Sequence, residues 1–178
     1  MKSIKMSAGQ LLKQANQLKR LGKLDLAIAK YKKSVEINPH FSWSHYQLAR
    51  TLERKGNLEE ACLEYQRAIE INPNTTSIYY QWGVALGKAG KLDESISILK
   101  KAIDIQPNFY LAYKTLGETY EKSGFLEESA IILNKLNDLN PNFLKTHPRC
   151  HQLLKENPNN QFSPIISLEE ITKIIWDF

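Results

Sequence analysis

The sequence predicts an all-α solenoid, four helix-turn-helix units in a row closed by a C-terminal helical cap. Three observations carry that prediction. Pro39, Pro73, Pro107 and Pro141 each follow Asn or Gln and stand 34 residues apart. Gly22, Gly56, Gly90 and Gly124 keep the same step. Between these marks the apolar residues recur at helical intervals, as in Leu58, Ala61, Tyr65, Ala68 and Ile69.

Each glycine closes the first helix of a pair, because it adopts the left-handed conformation without a steric penalty. Each proline stops the second helix: it has no N–H to donate, and it pushes its predecessor out of the α region. After a short extension over 1–7, the units therefore read 8–41, 42–75, 76–109 and 110–143. The eighth place of each unit holds Ala15, Ala49, Gly83 or Gly117, and the twentieth Ala27, Ala61, Ser95 or Ser129. Such small residues mark where two helices approach closely. Bulky residues fill the fourth place (Leu11, Tyr79, Tyr113) and the twenty-fourth (Tyr31, Tyr65, Leu99, Leu133). His45 departs from this pattern at the fourth place of the second unit, with Trp43 expected to compensate in part. Cys62, beside Ala61, is expected on the outer side of its helix.

The C-terminal part differs from the repeats. At the twenty-seventh place Ser34, Ala68 and Ala102 give way to Leu136, so the element expected on the fourth unit is not a fifth repeat. Thr146-His147-Pro148 opens a helix over 146–156, and Asn157-Pro158-Asn159-Asn160 ends it. Ser167-Leu168-Glu169-Glu170 is a capping box before a short helix with Ile171, Ile174, Ile175 and Phe178 on one face. Residues 144–178 read as a cap over the last exposed core, or as the start of a further segment.

Composition narrows the function classes. The 178 residues are 42% hydrophobic and 24% charged, the balance of an ordinary globular chain. Two cysteines, Cys62 and Cys150, are too few for a disulfide framework, which points to a reducing, cytoplasmic setting. No apolar run reaches the length that spans a bilayer, and the first residues lack the apolar core of a secretory signal, so no membrane insertion is expected. Net charge is +5 but uneven. Residues 1–56 hold 12 Lys/Arg against 3 Asp/Glu, whereas the remainder holds 12 against 16. The basic first third is either a solvated face or an attraction for an acidic partner.

Taken together, the register of small, bulky, Gly and Pro positions over 8–143 resembles the tetratricopeptide repeat, with four units in step. The resemblance implies a right-handed superhelical arc whose first helices line a concave groove that receives a peptide. By the family's register that lining includes Leu12, Asn16, Lys19 and Arg20 from the first unit. The second contributes Trp43, Tyr46, Arg50, Glu53 and Arg54. The third and fourth contribute Ser77, Tyr80, Val84 and Lys88, then Leu111, Lys114, Glu118 and Lys122. Asn16, Arg20, Trp43, Tyr46, Arg50, Arg54, Tyr80, Lys88, Leu111 and Lys114 are the candidate binding residues. Aromatic and Arg side chains are frequent anchors, and Trp43 and Arg50 are the two distinctive ones. Lys100 and Lys101, on a second helix, are expected to face outward.

The resemblance also yields a negative. Family members that clamp the acidic C-terminal tails of heat-shock chaperones use Lys and Asn, then Asn, then Lys and Arg. The matching places here hold Leu12, Asn16, Gln47, Ser77 and Gln81, so only Asn16 agrees. One unit along, Tyr46, Arg50, Gln81, Leu111 and Thr115 agree nowhere.

No catalytic or cofactor site is expected. Gly83-Val84-Ala85-Leu86-Gly87-Lys88 has the wrong spacing for a phosphate loop, lacks Ser or Thr after the Lys, and falls within a helix. His147, Cys150 and His151 share one helix face but lack a second ligand cluster, so no metal is assigned. Glu59/Glu60, Glu127/Glu128 and Glu169/Glu170 open helices, where negative charge offsets the dipole. The expected function is a non-enzymatic scaffold that binds a peptide or helical segment of a protein partner. Its rival is the N-terminal recognition module of a larger enzyme, such as a repeat-bearing glycosyltransferase or sulfotransferase. Nucleic-acid binding is disfavoured, since the basic third lacks the aromatic-basic clusters of RNA-binding modules.

Overall fold

The computed structural model describes residues 6–141. Within them lie eight α-helices: α1 (Ala8–Arg20), α2 (Leu24–Ile37), α3 (Ser42–Lys55), α4 (Leu58–Ile71), α5 (Thr76–Lys88), α6 (Leu92–Ile105), α7 (Tyr110–Lys122) and α8 (Leu126–Leu139). The expected cap over 144–178, and with it His147, Cys150 and His151, lies outside the described residues.

The ends of the helices follow from local chemistry. Ser7 opens α1 with a capping box: its Oγ accepts from the Gln10 N–H at 3.3 Å, and its own N–H donates to Gln10 Oε1 at 2.8 Å. Odd helices end on glycines with φ of 73°, 91°, 78° and 83°, a region costly for any residue with a Cβ. After each glycine the next N–H reaches back five residues; Lys23 N–H to Leu18 O and Asn57 N–H to Leu52 O, for example, measure 2.9 and 3.0 Å. Even helices end on Asn38, Asn72, Gln106 and Asn140 with ψ of 83–89°, outside the α region from which a following proline excludes them.

Each helix packs against its neighbours in the chain, and α3 also touches α5, as α5 touches α7. No comparable contact joins successive even helices among the described residues, so the odd helices form the inner row of the stack and the even helices the outer row.

The small and bulky places prove to be linked. Ala15, Ala49, Ala27 and Ala61 are fully buried, together with Tyr31 and Tyr65. In the third and fourth pairs the same three places hold Gly, Ser and Leu. There the Ser95 hydroxyl donates to the Gly83 carbonyl at 2.7 Å, and Ser129 to Gly117 at 2.9 Å. A Cβ at Gly83 would stand 2.7 Å from Leu99 Cγ, and one at Gly117 would stand 2.8 Å from Leu133 Cδ2. A leucine branches where the alanine methyl would sit, whereas the first two pairs combine that methyl with the flat tyrosine ring. Each half of the stack therefore uses a self-consistent set of three residues.

Two expectations are corrected. His45 is buried in its own right: Nδ1 lies 2.6 Å from Glu64 Oε2, and Nε2 lies 3.0 Å from the Pro39 carbonyl oxygen. Trp43 does not compensate for it but stands 47% exposed on another face of α3. Cys62 is not on the outer side of α4; it is buried in the core against which Trp82 packs, and burial raises its thiol pKa.

Candidate functional site

Residues on the inner face of α3 follow helical spacing. Trp43, Tyr46, Arg50 and Arg54 stand three and four residues apart, so their side chains form one strip. Tyr46 is buried and supports the strip from below. The Trp43 ring lies against it with centroids 5.0 Å apart, and the Arg50 guanidinium covers it at 5.7 Å. Trp43 is thus an exposed indole held on a fixed base.

From α1 the neighbouring groups are Asn16, Lys19 and Arg20. Asn16 Oδ1 accepts from the Tyr31 hydroxyl at 2.6 Å, which ties it into the first pair. The Tyr31 phenol is pushed up to about 12, mainly by burial. Lys19 Nζ donates to Gln47 Oε1 at 2.5 Å and joins the first unit to the second. Its ammonium titrates below the ordinary lysine value, first because it is partly desolvated and then because Arg50, Arg54 and Arg20 repel it. Four cations therefore share one end of the inner face. Gln47 stands at one of the clamp places compared above but was not among the candidate groove residues, and its bond to Lys19, 28 residues away, leaves no trace in the spacing.

Farther along, several expected groove residues are engaged within the fold. Glu53 accepts from Lys88 Nζ at 2.5 Å and from the Tyr65 hydroxyl at 2.8 Å, so Lys88 links the second and third units. Tyr80 is half-buried, edge-on to Phe109 with centroids 5.2 Å apart, and packs against the Ile96, Leu99, Leu116 and Tyr120 cluster. Lys114 pairs with Glu118 at 3.8 Å on its own helix, and Leu111 is half-buried. Arg20, Arg50, Arg54 and Trp43 keep their functional groups outward.

Among the described residues no group of His, Cys, Asp and Glu side chains could hold a metal ion, and no helix is long and apolar enough to cross a membrane. Gly83 and Gly87 lie inside α5, the first facing Leu99 and the second Ser95, so they form no phosphate loop. Of the two lysines expected to face outward, Lys101 does, whereas Lys100 lies over the Tyr120 ring at 5.8 Å.

Comparison with known proteins agrees with this architecture. Tetratricopeptide repeat models match residues 8–41 and 76–109, and another matches 30–62; a TPR repeat model matches 54–90. No curated protein matches the sequence. Among solved structures, one of MamA is 27% identical, with a TM-score of 0.73 over 78% of this chain and 81% of that one. YrrB, described as a TPR protein with an unusual peptide-binding site, is 20% identical with a TM-score of 0.72 over 95% of this chain and 85% of its own. The first TPR of Spaghetti (RPAP3), bound to the HSP90 peptide SRMEEVD, is 23% identical with a TM-score of 0.64 over 66% of this chain and 94% of its own.

Proposed function

The chain belongs to the tetratricopeptide-repeat family, and on that premise we propose that it is a non-enzymatic interaction module holding an extended or helical segment of a partner protein against its inner helix row. The observation that carries this reading is the Trp43–Tyr46–Arg50 strip. A large indole is left 47% exposed, yet its ring is fixed by a buried tyrosine, and an arginine follows on the same face. A rigid aromatic beside a guanidinium with no carboxylate partner gives contact area with little entropy to lose, the usual character of a binding anchor. The free, buried Cys62 thiol suits the reducing cytoplasm. Because only Asn16 of the chaperone-tail clamp is present, and its amide oxygen is already taken by Tyr31, those tails are not the proposed ligand.

The reading is tested by recovering a partner from native lysate and titrating its binding segment. Trp43→Ala and Arg50→Glu should each cost about 2 kcal/mol, roughly thirtyfold in affinity, with helicity and melting unchanged. Lys101→Glu on the outer helix α6 should change affinity only slightly, and less as salt rises. The opposite ranking would put the interface on the outer row and sink the proposal.

A further inference from the structure

The described residues contain four arginines, Arg20, Arg50, Arg54 and Arg67. Arg67, on the outer helix α4, is paired with Glu64 at 2.5 Å. The three on the inner row of the first two units have no carboxylate partner among the described residues, whereas Lys88 on the same row is paired with Glu53. The unpaired arginines are also gathered at one place: Arg50 and Arg54 stand one turn apart on α3, and Lys19, next to Arg20 at the end of α1, is hydrogen-bonded to Gln47 of α3.

Offsetting helix dipoles does not account for this arrangement. Lys19 and Arg20 end α1 and Arg54 ends α3, where cations are favourable, but Arg50 lies a turn earlier. Lys55 and Lys88 also stand in last turns, and each is neutralised, by Asp25 and by Glu53. Nor does Glu53, beside Arg54 in the sequence, supply balance, since it is occupied by Lys88 and the Tyr65 hydroxyl. Four like charges in one place cost folding free energy, and a ligand of opposite charge would recover it.

We propose that this end of the inner face receives an internal acidic stretch of a partner protein, with an apolar side chain against Trp43 and two or more carboxylates held by Lys19, Arg20, Arg50 and Arg54. The proposal rests on the groove reading above and gives its ligand a chemistry. From Trp43 to Arg54 the strip runs eleven residues of helix, about 16 Å, the length of about five extended residues. The acidic residues should therefore fall within a few positions of the apolar one. Guanidinium groups suit them, because their forked donors match a carboxylate in bidentate fashion. A terminal carboxylate is not required, and the terminal-clamp residues are not present. A nucleic acid fits less well: its phosphates would continue past the cluster onto a chain that from residue 57 carries 12 Lys/Arg against 16 Asp/Glu.

The experiment pans a phage-displayed random-peptide library on the protein and titrates C-amidated synthetic copies of the enriched sequences. The expected result is a pool with several Asp or Glu close to an apolar residue, whose binding weakens sharply between 0.1 and 1 M salt, as the screening length falls from about 10 to about 3 Å. Arg50→Glu with Arg54→Glu should lower affinity about tenfold or more, and Lys101→Glu should barely change it. Circular dichroism verifies each variant, and Arg50→Gln with Arg54→Gln gives a milder loss should the reversal unfold the chain. A neutral or basic pool lost with Trp43→Ala but indifferent to charge reversal overturns the acidic ligand and leaves the groove standing. Enriched peptides that ignore both sets of changes, or no enrichment at all, overturn the groove reading and this inference with it. Oligothymidylate that displaces the peptides and binds more tightly overturns it in favour of nucleic acid.

Discussion

Gly83→Ala sets two effects of opposite sign against each other, and the structure decides between them. In an exposed helix interior, glycine to alanine gains about 1 kcal/mol, because alanine loses less backbone entropy on folding. Gly83 lies inside α5, so propensity alone predicts a more stable protein. Its new Cβ, however, would stand 2.7 Å from Leu99 Cγ and 2.8 Å from Cδ2, about an ångström closer than carbon atoms tolerate. Leu99 is fully buried, so yielding to the new Cβ means displacing its packed neighbours. Overpacking of this kind costs about 1–3 kcal/mol, which should cancel or outweigh the propensity gain and leave a net loss of up to about 2 kcal/mol. Gly117→Ala meets Leu133 in the same way, at 2.8 and 2.9 Å, and should behave alike. Gly87→Ala is the matched control. There the Cβ meets Ser95 Oγ at 3.4 Å, an ordinary contact, so the propensity gain should survive and raise stability by up to about 1 kcal/mol. Urea unfolding followed by circular dichroism measures all three, with midpoints compared at unchanged slope. Gly83→Ala combined with Leu99→Tyr rebuilds the pairing used in the first two units and should recover part of the loss. If Gly83→Ala stabilises the protein as much as Gly87→Ala does, the account of the linked places is wrong.

Ala61→Leu, at the fully buried close crossing of the second pair, should cost about 1–3 kcal/mol in urea, and an unchanged midpoint would refute the crossing. Cys62→Ser should also be measurably destabilising, by about 1 kcal/mol or more, because a hydroxyl would enter an apolar core; a silent change would place that side chain outside. His45→Ala should cost about 3 kcal/mol, because it leaves Glu64 buried with only Arg67 beside it, whereas Glu64→Gln should cost less; equal midpoints for wild type and His45→Ala would show that the pair contributes nothing. In alkali, a phenol with a raised folded pKa contributes stability that is full below its unfolded value and is lost as pH rises through the folded one. Melting temperature should therefore fall from about pH 10 to about pH 12 as Tyr31 titrates, with Tyr65 and Tyr113 raised in the same direction; replacing all three with Phe should flatten that slope, and an unchanged slope would refute it.

Most of the fold could be read from the residues, because what sets it is local. Helix ends depend on a glycine that tolerates positive φ and on a proline that cannot donate, and both act on their immediate neighbours. A period of 34 residues then repeats that local instruction until the stack is specified. The small places were visible for the same reason, since close helix crossings recur at fixed positions in each unit. Register also put Trp43, Arg50 and Arg54 on one face, as helical spacing alone requires.

The tertiary structure decided which of the named groups are free. Sequence spacing cannot show that Tyr46 is buried beneath Trp43, that Tyr80 is committed to Phe109, or that Glu53 takes Lys88 from 35 residues away and leaves Arg50 and Arg54 unpaired. Nor could it show that His45, an exception at an apolar place, finds Glu64 on the next helix. Pairings of this kind are set by distances of a few ångströms between helices, and those distances depend on how every side chain at the crossing packs. The period of the chain determined the scaffold, whereas contacts across the crossings determined which charges are neutralised within the fold and which face outward.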